Sequence, residues 1–276
     1  MSDSEGNDSV FEMMAVDVHA HYGNYFRAGA PLLNEFMTAS GEKVAERARK
    51  ARTAWSVVSP IHALLPRFQA NAITANEDAV EVVAKVQGLL QWVVVNPLQP
   101  ESYRQAETML RHPKCVGIKI HPEEHGYRIG ARGQQIYEFA AKHRAVILTH
   151  SGEENSLPTD FVAFANAFPE VKLILAHLGC GWDNDPSHQV RAILASCHDN
   201  LFVDTSSAKS VMSGLIEWAV KEIGSRRILF GTDTPLYSAP MQRARIDHAE
   251  ISDEDKRAIL LHNADKLLDL KTRRLC

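Results

Sequence analysis

The chain has 276 residues, 45% hydrophobic and 23% charged, with a formal net charge of −4. That length and balance describe a soluble globular protein with core material for one α/β barrel or two smaller domains. Acidic and basic residues are interspersed, which excludes the basic face of a nucleic-acid binder, and no apolar run reaches the length of a membrane span.

The N-terminus, MSDSEGNDSV, is polar and acidic, unlike a secretory or mitochondrial leader, so residues 1–12 read as a flexible extension. Cys115, Cys180, Cys197 and Cys276 have no CxxC spacing and read as reduced thiols of a cytoplasmic protein. From residue 13 onward, short apolar runs alternate with stretches of helical spacing. The runs place strands over 13–17, 55–59, 91–95, 115–120, 145–149, 172–176, 201–204 and 227–230. Most are continuously apolar, as parallel strands covered on both faces must be. Helices are expected between them, over 42–51, 76–86, 102–110, 132–143, 159–168, 188–197, 210–223 and 252–268. Ser252 with Asp255 reads as a capped start for the last, and Gly224 as a stop for the seventh. Eight such units predict a single (β/α)8 barrel. An open doubly wound sheet is the competitor, but a GxGxxG motif is missing after the first strand.

The polar residues at the ends of these runs carry the functional reading. His19 and His21 close AVDVHAH, His150 closes AVILTH, His177 closes KLILAH and Asp233 closes RILFGTD. Catalytic groups of a parallel barrel come from the C-terminal strand ends, so these distant residues are expected to converge. Histidine and carboxylate are ligands for Zn²⁺ and similar ions. Residues two apart on a strand share a face, which lets His19 and His21 serve one ion, with Asp17 a candidate for orienting them. One HxH pair, or one buried histidine, is common without a metal; four strand ends together are not. Lys119 and His121 share a face at the end of the fourth strand and, with Trp182 after the sixth, are candidate substrate contacts. Long connections over 22–40, 60–74 and 234–251 are expected to shape the pocket.

The ordered pattern, with the segments GIKIHP, LTHSG, LILAHLG, LFVDTSS and ILFGTDTP, resembles the amidohydrolase superfamily. More narrowly it resembles the amidohydrolase-related branch that includes aminocarboxymuconate-semialdehyde decarboxylase. The likeness runs from residue 13 to the C-terminus, so 13–276 is expected to be one amidohydrolase-like barrel. The resemblance implies one divalent metal ion, Zn²⁺, on His19, His21, His150 and Asp233, with His177 and Asp233 handling protons. It implies a metal-dependent hydrolase of C–N or lactone C–O bonds, or a carboxy-lyase, using metal-activated water on a small carboxylated substrate. Three alternatives stay open: a binuclear site bridged by a carboxylated Lys119, a metal-free lactonase, and a non-enzymatic barrel. A metal-dependent nuclease is disfavoured, because Lys119 and His121 stand where a glutamate ligand is expected. Neither nucleic acid nor membrane is an expected partner, and a homo-oligomer is compatible with the sequence.

Overall fold

The computed structural model describes residue 10 and residues 12–207 and 211–273. Eight parallel strands stand in sequence order around one sheet. They are β1 (Ala15–Tyr22), β2 (Thr53–Pro60), β3 (Leu89–Val94), β4 (Cys115–Ile120), β5 (Val146–Thr149), β6 (Leu173–Leu175), β7 (Leu201–Asp204) and β8 (Ile228–Leu229). The last strand returns to the first. Val18 N donates to Phe230 O at 2.9 Å, and His21 N and Asp233 N donate to Thr234 O and His19 O, each at 2.7 Å. The sheet thus closes on itself with helices between the strands, a (β/α)8 barrel and not an open sheet.

The outer strands differ from the sequence expectation, and the differences bear on the site. β1 is expected over 13–17 but starts two residues later and ends five residues later, so His19 and His21 lie inside it. Pairing explains this: His21 sits opposite Ser59 and Tyr22 opposite Pro60, so the ladder carries the polar residues along. β8 is only two residues long, and Asp233 stands four residues beyond it.

The expected helix over 252–268 begins as read, with Ser252 Oγ accepting from Asp255 N at 3.1 Å. It is not uniform, however: Asp253–Arg257 is α, Ala258–His262 widens to a π turn and Asn263–Leu268 returns to α. Phe230 N donates to Ile259 O at 3.0 Å, so the barrel draws on a carbonyl of this turn. Gly224, at φ +75°, ends the helix Leu215–Ile223; the expected start of that helix, residue 210, lies outside the described residues. Most of the expected extension over 1–12 and Cys276 also lie outside them. Cys115 and Cys180 are buried and Cys197 is exposed. No helix among the described residues is long and apolar enough to cross a membrane.

Beneath the site the barrel is plugged by one large side chain. Trp92 is fully buried and donates from Nε1 to Val18 O at 2.7 Å. Gly117 makes room for it: a Cβ there would meet the Trp92 ring at 2.6 Å and Val146 O at 2.4 Å. Gly117 and Lys119 share a face of β4, so the indole packs on the level below Lys119.

Candidate metal centre and pocket

On the β1/β8 side, His19 Nε2 and His21 Nε2 are 3.2 Å apart. Asp233 Oδ1 lies 3.0 Å from His21 Nε2 and 3.6 Å from His19 Nε2. The far nitrogens decide what these atoms are. His21 Nδ1 lies 3.1 Å from the Ser59 carbonyl, which can only accept, so Nδ1 carries the proton. His19 Nδ1 lies 2.9 Å from Asp204 Oδ2 and carries its proton for the same reason. With Nδ1 bonded outward in each ring, both Nε2 atoms face inward, where Asp233 Oδ1 is within hydrogen-bond reach of His21 Nε2. Burial pushes the Asp233 carboxyl up, but His19, His21 and His177 outweigh it and hold it well below the usual carboxylate range. Three buried groups that can each offer an electron pair converge, an arrangement that fits a cation.

A positive charge is already drawn there. Lys119, 1% exposed, places Nζ 3.0 Å from His19 Nε2. Burial lowers its pKa to about 8, against the pull of Asp204 and Asp233. Burial and the Lys119 charge in turn lower His19. Asp204 ends β7 and accepts from His19 Nδ1, His177 N and Ser206 N, so it ties the His19 ring to the backbone that carries His177. Asp17 accepts from Thr232 N, Thr232 Oγ1 and His19 N. Burial raises its carboxyl to about 7 in spite of those bonds.

The β5/β6 side is built differently. His150 Nδ1 lies 3.1 Å from His177 Nε2, and His150 Nε2 lies 2.8 Å from Glu153 Oε2. His177 Nδ1 lies 2.8 Å from Ser206 Oγ. The His121 ring stacks on His150 at 4.2 Å between centroids and 9° between planes, and its Nδ1 accepts from Glu124 N. Burial drives His121 and His177 well below the ordinary imidazole range, so both are neutral at pH 7. His177 at φ +71° and Asp233 at φ +56° both hold the left-handed backbone that non-glycine residues avoid, a strain of about 1–3 kcal/mol each. His19, His21, His121, His150 and His177 open, with Lys119, Glu153 and Asp233, into one cavity of about 200 Å³. Its other walls are Ile61, Leu64 and Leu65 after β2, Cys180 after β6, and Leu236 and Tyr237 after β8.

The family profile described as amidohydrolase matches residues 16–270. The chain belongs to the amidohydrolase family. It is an enzyme. Solved structures with the same fold include 2,6-dihydroxybenzoate decarboxylase from Rhizobium, at 13% identity and TM-score 0.74, covering 94% of this chain and 99% of that one. The dihydroxybenzoic acid decarboxylase of Polaromonas sp. JS666, with bound manganese and 2-nitroresorcinol, gives 17% and 0.72, covering 94% and 98%. The 5-carboxyvanillate decarboxylase of Novosphingobium aromaticivorans, complexed with manganese and a nitrobenzoic acid, gives 13% and 0.72, covering 94% and 96%. No match was found among curated proteins.

Within this amidohydrolase the expected residues fall into three groups. His19, His21 and Asp233 form one cluster; His177, its ring 5.0 Å from His19, joins it to His150. Lys119 and His121 line the cavity. Trp182 is 64% exposed and is not among the lining residues. Sequence reasoning missed Asp204, although LFVD ends an apolar run on a carboxylate just as β8 leads to Asp233. It also missed Glu153, which follows a glycine in a polar loop and carries no pattern that marks it.

Proposed function

We propose that this amidohydrolase holds one divalent ion on His19, His21 and Asp233 and acts as a hydrolase or decarboxylase on a small carboxylated substrate. The observation that carries this reading is the meeting of two inward-facing imidazole Nε2 atoms, their Nδ1 atoms bonded to outer acceptors, with a carboxylate held ionised. Two imidazoles and a carboxylate suit Zn²⁺, the ion we propose; the manganese in two similar structures makes Mn²⁺ the alternative. His150, the fourth ligand implied by the family resemblance, has weaker support, because its two nitrogens face Glu153 and His177.

When bound, a divalent ion supplies Lewis acidity and lowers the pKa of water toward neutrality. The chain's own residues do the rest. Asp204 and the Ser59 carbonyl keep the His19 and His21 Nε2 atoms aimed inward. Asp204, Asp233 and Lys119 together leave the inner cluster at net −1, which a divalent ion turns to +1. That sign favours an anionic substrate. Lys119 Nζ, and the Nε2–H of His121 left by its Nδ1 bond to Glu124 N, are donors for the substrate carboxylate. Ile61, Leu64, Leu65, Leu236 and Tyr237 exclude water around an apolar body, and the small cavity limits that body to about one ring. His177, neutral and hydrogen-bonded at both nitrogens, is placed to take or give the proton of the reaction. The same groups serve decarboxylation and ring opening.

The test is turnover on aromatic carboxylic acids and on lactone acids, before and after chelation. The reading expects CO₂ release or ring opening that is lost on chelation and restored by Zn²⁺ or Mn²⁺. Turnover that survives complete metal removal would replace it with a metal-free lactonase.

A further inference from the structure

We propose that Tyr237 is a specificity-determining residue: its phenol donates a hydrogen bond to an uncharged oxygen of the substrate, at the end away from the carboxylate. That oxygen is a second feature of the small carboxylated substrate assigned under Proposed function, on which this reading rests.

The polar side chains around the cavity differ in what already engages them. The five imidazoles, Lys119, Glu153 and Asp233 each face a protein partner at 3.2 Å or less. The Tyr237 hydroxyl has none among the described residues, although the side chain lines the same cavity. A half-buried hydroxyl beside Leu236 costs free energy unless water or a ligand meets it. A phenol keeps its proton at pH 7, so it can donate. The turn after β8 brings it to the cavity. Leu236 N and Tyr237 N both donate to Asp233 O, at 2.9 and 3.3 Å, which folds the chain back over the site.

Its place in the ring decides which part of the substrate it meets. β4 and β8 stand opposite each other among eight strands in sequence order. Lys119 and His121, the donors for the carboxylate, come from the end of β4, and Tyr237 follows β8. A single ring held by its carboxylate at the first wall presents its far edge to the second. The ionisable groups that act on the phenol are Asp233, Cys180, Tyr25 and Glu153, all of them acids. A second carboxylate at that edge would meet like charge, whereas a hydroxyl, ether or carbonyl oxygen does not. The substrate so described is a monocarboxylate with an uncharged oxygen on the far edge of its ring.

The experiment is calorimetric binding of substituted benzoates to the Zn²⁺-loaded protein. The probes are benzoate, meta- and para-hydroxybenzoate, the matching meta- and para-toluates, isophthalate and terephthalate. A methyl group fills the space of a hydroxyl without accepting a hydrogen bond. The ratio of hydroxy to methyl affinity therefore isolates that bond and cancels any general change to the pocket. In the wild type one hydroxybenzoate should bind about 3- to 10-fold more tightly than the toluate of the same position. Tyr237→Phe should abolish or reverse that preference, and neither dicarboxylate should bind as tightly as the preferred hydroxybenzoate. Benzoate binding with no hydroxyl preference overturns the assignment and leaves the carboxylate site standing. So does a preference that survives in Tyr237→Phe, or a dicarboxylate that binds more tightly than both hydroxybenzoates. If benzoate itself does not bind, the carboxylate site falls, and the assignment of Tyr237 falls with it.

Discussion

His19 and His21 leave β1 inside the paired strand, whereas His150 and His177 stand beyond the ends of β5 and β6. The first pair is aimed by acceptors that water does not reach, Asp204 and the Ser59 carbonyl. In the second pair His150 meets Glu153, whose side chain is 42% exposed, while His177 meets the buried Ser206 hydroxyl. Buried acceptors belong to the folded state itself and give a fixed orientation. An acceptor at the cavity rim can be reached by solvent and by ligand. One pocket thus combines a rigid half suited to holding an ion with a half suited to exchanging protons.

Four expected outcomes break or sharpen this contrast. Asp233→Asn removes the only carboxylate of the β1/β8 cluster and should have the largest effect. Metal occupancy by elemental analysis and turnover should both fall by more than the 10–100-fold, roughly, of losing an outer hydrogen-bond partner. Removing His177 as His177→Gln should lower kcat by about 10²–10⁴-fold while metal content stays at the wild-type level. If metal is lost as well, the two halves are not separate in role. Asp204→Asn keeps the shape but loses the charge that aims His19, and should weaken metal binding by about 10–100-fold in a competitive chelator titration.

The smallest effect concerns acid stability. Burial lowers the His125 ring to about 4, and its Nε2 donates to Ala63 O. The unfolded chain therefore takes up a proton near pH 6.5 that the folded protein refuses until about pH 4. Stability is lost as pH falls through that window and levels off below it. Thermal melts should show Tm falling from pH 6.5 to pH 4, with a shallower fall in His125→Gln. Parallel curves for the two proteins would assign the acid loss to other groups.

Much of this site was legible because barrel geometry turns apolar run-ends into neighbours. The rule that found His19, His150, His177 and Asp233 needs only the length of each run. It does not give ring orientation, which is set by contacts such as His19 with Asp204, 185 positions apart. That is why the sequence placed His150 among the ligands, while the folded chain turns its nitrogens to Glu153 and His177. Nor could run lengths find Glu153, whose place beside His150 depends on how closely Gly152 approaches Cys180. The loops over 60–74 and 234–251 were expected to shape the pocket and supply Ile61, Leu64, Leu65, Leu236 and Tyr237. Trp182 was expected there too, but an exposed tip of the loop after β6 carries it outward.

The most direct measurement is anomalous diffraction from crystals of the metal-loaded protein, collected across the Zn and Mn absorption edges. A single peak coordinated by His19 Nε2, His21 Nε2 and Asp233 is the predicted result. Two peaks joined through Lys119, or no peak between the two β1 histidines in an active protein, would contradict it.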